Sequence, residues 1–201
     1  MLSRSPHEAD EDLVRQCLDG SREAFGLLVV RHSRAVRAIC MARIGHREAD
    51  DAVQEVFLRA YRGLRRLNDA SRFRAFVGQI ARNHCTDRLR VAKSAAARPI
   101  SLDEIELEPE DPTGSTDDFQ DLRLQSLRRE VGRLPESQRE VLLLFYFQQM
   151  SYAAMADTLG ITEAAVNQRL SRARQQLRTV LAGGGDEPGA RGSAQGGSAG
   201  G

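Results

Sequence analysis

The charge of this chain reverses sharply between two neighbouring blocks. Residues 59–93 carry ten basic side chains against Asp69 and Asp87, a net of +8, whereas residues 101–125 carry nine acidic ones against Arg123, a net of −8. A segment of such charge orders itself only if an apolar stripe runs through it. The basic block has one. The acidic block, interrupted by Pro109, Pro112 and Gly114, does not. Two folded units are therefore expected, at 9–93 and 119–182, joined by a solvated acidic linker at 94–118. The stretch 183–201 holds nine Gly among nineteen residues and is expected to be disordered.

Both units read as helical. Leu28, Val29, Val36 and Ile39 recur at three and four after Ser21, a suitable N-cap, and before Gly45, a suitable stop; His32 interrupts the stripe. Ala49, Val53, Val56, Phe57, Ala60 and Leu64 form a second stripe, and Phe73, Phe76, Val77, Ile80 and Ala81 a third, beyond a loop at about 65–71. A short amphipathic helix near Glu11 to Leu18 precedes them. In the second unit Leu127, Val131 and Leu134 lead to a break at Pro135, followed by Val141, Leu142, Leu144 and Phe145. No segment alternates with a period of two, so the chain is expected to be all-α, two small helical domains without strands.

The near balance of 29 basic and 28 acidic residues gives +1 overall and excludes nothing by itself. Three cysteines without CxxC spacing argue against a disulfide framework and for a reducing compartment. The apolar run Val141 to Phe147 is too short to span a bilayer, and Met1 to Asp12 is acidic, unlike a secretion signal. A cytoplasmic protein without membrane insertion is expected. There is no HExxH, GxSxG or GxxxxGK, and four scattered histidines make no metal cluster, so no catalytic residue, metal site or cofactor is expected.

The most specific local pattern lies at the C-terminal end. Ser151 can cap a short helix to Leu159, Gly160 can turn with positive φ, and Thr162 can cap a longer helix to Leu181, which together make a helix-turn-helix. On its second helix Glu163, Ala164, Asn167, Gln168 and Ser171 sit where base edges would be met, followed by Arg169, Arg172, Arg174 and Arg178 for phosphates. The bland reading is a helical hairpin with a solvated basic face. In the first unit, Arg82, Asn83, Thr86 and Arg90 form an exposed face beside the basic block, a track suited to single-stranded nucleic acid. Its aromatics, Tyr61, Phe73 and Phe76, lie on core stripes and are assigned mainly to packing. Asp50, Asp51, Gln54 and Glu55 could be no more than a solvated helix face, or could dock a basic partner.

Residues 11–90 and 123–181 resemble regions 2 and 4 of bacterial sigma-70 RNA polymerase sigma factors of the extracytoplasmic-function (ECF) group. The resemblance rests on Glu48 to Tyr61, on Phe73 to Val77 with Ile80 to Arg90, on Leu134-Pro135, on Tyr152 to Gly160, and on Val166 with Leu170 to Arg174. It implies that Asp50, Asp51, Gln54 and Glu55 dock on core RNA polymerase. It implies that the loop with Arg65, Arg66, Asn68 and Arg72, together with Arg82, Asn83, Thr86 and Arg90, opens the minus-ten element and holds flipped bases of the melted non-template strand. The helix from Glu163 would read the minus-thirty-five element as duplex DNA, and an anti-sigma partner of unknown identity is implied. Phe76 stands where the family commonly has Trp, and Gly78 where a better helix former is usual. The alternative is a repressor or activator that uses the helix-turn-helix without polymerase.

Overall fold

The computed structural model describes residues 9–94 and 118–183, so the acidic linker and the Gly-rich tail lie outside the described residues. Eight helices and no strands occur among them: α1 (Asp10–Leu18), α2 (Arg22–Ile44), α3 (His46–Gly63), α4 (Phe73–Ser94), α5 (Asp118–Arg133), α6 (Glu136–Tyr146), α7 (Tyr152–Leu159) and α8 (Glu163–Gly183). Single turns of 3-10 helix, Leu64–Arg66 and Ala70–Arg72, shape the loop between α3 and α4. None of the described helices is long and apolar enough to cross a membrane.

Local chemistry sets the boundaries. The Ser21 hydroxyl accepts the Ala24 amide at 3.3 Å and starts α2, and Gly45 at φ 85° ends it and turns the chain directly into α3. Pro135 is the last residue before α6 rather than part of its first turn. The first half is a bundle in which α2 packs on α1, α3 and α4. Leu13, Leu28, Ile39, Val56 and Phe73 are buried in it.

His32, the interruption in the α2 stripe, is buried because α1 brings it a partner. Its Nε2 lies 2.8 Å from the Asp10 carboxylate, which also accepts from Arg31 at 2.6 Å. Burial raises the Asp10 carboxyl, but the hydrogen bonds and charges of His32 and Arg31 outweigh it and hold the group at about 2. Folding therefore gains from this carboxylate above its unfolded pKa of 3.8, and the gain is lost as pH falls through about 2. Asp10→Asn is expected to lower stability at neutral pH by about 2 kcal/mol. Urea unfolding curves across pH 2–7 check this: the variant should lose stability less steeply below about pH 4, and an acid limb identical to wild type would remove the pair from the account.

The two halves pack directly on each other, α2 against α6 and α4 against α7. That contact explains why α6 buries Val141, Leu142, Leu143 and Leu144 in succession, on more than the one stripe its periodicity suggested: it lies between α2 and α8. It also explains Gly78, which costs α4 about 1 kcal/mol relative to Ala. A Cβ at Gly78 would lie 2.2 Å from the Thr158 carbonyl oxygen on α7, so the helices meet only through a glycine.

Candidate nucleic-acid and polymerase interfaces

On α3, Ala49, Ala52, Val56, Phe57 and Ala60 face the core and push the acidic residues outward. Asp51 and Gln54 are exposed. Asp50, also exposed, accepts from Arg37 Nε at 2.8 Å. Half-buried Glu55 accepts from Arg59 Nε at 2.9 Å, and that bond holds its carboxyl below the usual range. Exposed Leu58 and Tyr61 continue the face toward the C-terminal end of the helix.

The loop that follows is shaped before any ligand arrives. Leu64 is buried, and Asp69 caps the second turn by accepting from the Ser71 amide at 3.0 Å and the Ser71 hydroxyl at 2.6 Å. These bonds depress the Asp69 carboxyl. Arg65, Arg66, Asn68 and Arg72 project outward from this frame, all exposed. Phe73 is fully buried and Phe76 half-buried, while Tyr61 packs edge-on against Phe25 at 4.9 Å.

On α4 the expected exposed face divides. Asn83 and Arg90 are exposed, but Arg82 and Thr86 are half-buried, Arg82 against α7 of the second half and Thr86 against Arg43 of its own half. Arg82 donates through Nη1 to the Leu159 carbonyl at the end of α7 and through Nη2 to Gln79 at 2.6 Å. Thr86 accepts from Arg43 Nη2 at 3.3 Å and donates to the Arg82 carbonyl at 2.8 Å. Periodicity places a residue on a face; it cannot say that another part of the chain lies over it.

Sequence reasoning passed over the centre of this contact. Arg43 Nη1 donates to Glu140 Oε1 at 2.8 Å, and Glu136 Oε2 lies 3.3 Å from Arg43 Nη2. Glu140 is 2% exposed; burial raises its carboxyl, while Arg43, Arg82 and Arg169 pull it down. Its neighbour Arg139 is also buried and donates to the Gly132 carbonyl at 2.7 Å, tying α6 to α5. The available signal was an Arg-Glu pair running into the apolar Val141 to Leu144.

In the second half Ser151 accepts the Ala154 amide at 3.2 Å, Gly160 adopts φ 60° and ψ 39°, and Thr162 accepts the Ala165 amide at 3.2 Å. Both caps and the left-handed turn stand where the pattern put them. Val166, Leu170 and Ala173 are fully buried along the inner side of α8. Glu163, Ala164, Asn167, Gln168, Ser171 and Arg172 are thereby exposed together, with Arg169 half-buried beside them. Arg174 is turned back: its Nε donates to the Tyr146 hydroxyl at 3.0 Å, and its guanidinium lies 5.0 Å from the Phe145 ring centroid.

Comparison with known proteins gives a consistent result. The Sigma-70 region 2 family matches residues 28–95, and the Sigma-70 region 4 family matches residues 124–177. The ECF RNA polymerase sigma factor SigM of Mycobacterium tuberculosis is 32% identical, over 87% of this chain and 86% of its own. Among solved structures, CnrH in complex with the cytosolic domain of CnrY is similar at a TM-score of 0.60 and 30% identity, covering 88% of this chain and 99% of that one. The sigma factor RpoE in complex with the anti-sigma factor NepR, from Bartonella quintana, is similar at 0.55 and 26%, covering 78% and 93%.

Proposed function

The chain belongs to the sigma-70 family, in its ECF group, and from that premise we infer how its residues divide the work of promoter-specific transcription initiation by RNA polymerase. The first half, 9–93, docks on core polymerase and opens the minus-ten element; the second, 119–182, reads the minus-thirty-five element. Asp51 and Gln54, exposed on α3 with Asp50 and Glu55 beside them, form the docking face. Arg65, Arg66, Asn68 and Arg72 on the shaped loop, with Asn83 and Arg90, hold bases and phosphates of the non-template strand. Glu163, Ala164, Asn167, Gln168 and Ser171 enter the major groove, flanked by Arg169 and Arg172. The protein is a regulatory factor without a catalytic step and works in the cytoplasm, where an anti-sigma protein restrains it.

One observation carries this reading: a single chain presents an acidic docking face, a basic loop and an exposed helix-turn-helix tip at once. A repressor needs the last alone. Each DNA surface is small, so specific binding requires both to be held at promoter spacing by a third body. With purified components, promoter-specific binding and permanganate-detected melting are expected only when core polymerase is added. Tight, sequence-specific binding of dimeric protein to duplex without polymerase would instead establish the repressor.

A further inference from the structure

We propose that Arg43, with Arg82 and Thr86, forms a phosphate-binding patch for the melted non-template strand, and that the Glu140 carboxylate occupies this patch as an internal stand-in while the two halves are packed together. The proposal rests on the sigma reading given above and adds a site to it. The two carboxylates on Arg43, Glu140 at 2.8 Å and Glu136 at 3.3 Å, both come from α6 of the second half. Within its own half Arg43 has the Thr86 hydroxyl at 3.3 Å. Arg82 is divided in the same way, between Gln79 on its own helix and the Leu159 carbonyl on α7.

Separating the halves would therefore leave two guanidinium groups and a hydroxyl converging on one surface of the first half, with Glu140 and Glu136 withdrawn. A carboxylate oxygen 2.8 Å from an arginine Nη occupies the position a phosphate oxygen takes in a charge-assisted hydrogen bond. The patch adjoins Asn83 and Arg90 on α4, so it extends the track already assigned to the non-template strand. Gly78 makes the masking specific. The three nearest atoms that a Cβ there would meet all belong to Thr158, and nothing in the first half comes as close. The glycine is what lets α4 and α7 approach at this point.

The experiment uses the full chain and a fluorescently labelled single-stranded DNA of about 15 nucleotides, a length that exceeds one small binding site. Gly78→Ala drives a methyl group into the Thr158 carbonyl without touching any charge, and it places a better helix former in α4. Glu140→Gln removes the stand-in charge without a steric change. Each is expected to enlarge the particle by small-angle scattering and to raise affinity for the oligonucleotide, Gly78→Ala by about tenfold or more. Adding Arg43→Ala to Gly78→Ala should remove most of that gain and make the log–log salt dependence shallower by about 0.7, the value of one phosphate contact on a single strand. Affinity unchanged in both single variants, or a gain that survives Arg43→Ala, would overturn the proposal. Core-dependent promoter melting by the unaltered chain is measured in parallel and tests the sigma reading alone: if it persists while the gain is absent, only the masked patch is lost.

Discussion

Asp51→Arg combined with Glu55→Arg is expected to reduce core polymerase affinity at least about a hundredfold and promoter-specific transcription to background. Asp51 is exposed and Glu55 half-buried on the outer side of α3, so neither supports the core. The buried stripe Ala49, Ala52, Val56, Phe57 and Ala60 is untouched by the change. Within the helix the main loss is the Glu55–Arg59 pair, an exposed i,i+4 contact screened by solvent, whose replacement by like charges costs the fold little. Across an interface, like charges set against each other cost several kcal/mol, and each 1.4 kcal/mol is tenfold in affinity. Competition with a reference sigma factor for core, beside a far-UV spectrum of the free protein, separates the two effects. A folded double variant that still competes at wild-type strength would remove α3 from the docking surface.

On α8, Asn167→Ala and Gln168→Ala should each change which bases are preferred in the upstream element, at about 1–3 kcal/mol per lost bidentate contact. Arg172→Ala should instead weaken all sequences alike and make the salt dependence shallower by about one unit. The distinction follows from position. Asn167 and Gln168 are exposed one turn into the helix, while Arg172 lies a turn further on and stays exposed. A binding series over promoter variants, measured at three salt concentrations with core present, discriminates them. Even losses across every sequence in all three variants would mean that α8 meets the backbone and leaves the bases unread.

The elements and their ends were legible because each is governed by residues close in sequence. Ser21, Gly45, Ser151, Gly160 and Thr162 act on backbone groups within four residues, and the apolar stripes repeat within one helix. The outward positions of Asp51, Asn167 and Gln168 follow from the same periodicity. What could not be read was anything decided by packing between the halves. Arg82 and Thr86 belong to a face that is exposed by period and half-buried in fact, Arg82 under the end of α7 and Thr86 beside Arg43. Gly78 looked like a local weakness of α4, and the Thr158 carbonyl supplies its reason. Arg174 stands in register with the arginines expected to meet phosphates, yet its guanidinium is engaged by Tyr146 and Phe145, more than twenty-five residues away.

The Arg174 contact has a mechanical consequence. It fastens α8 to the end of α6, and α6 carries Glu140, so α8 and the carboxylate on Arg43 belong to one lever. Turning α8 to follow a groove either breaks the Tyr146 bond and both ring contacts together or swings α6 with it. The two proposed DNA surfaces would therefore share a degree of freedom. With the roles proposed above, duplex that seats α8 at a different angle would do work on the Arg43 patch, and reciprocity would require a strand captured there to favour the same angle by the same free energy.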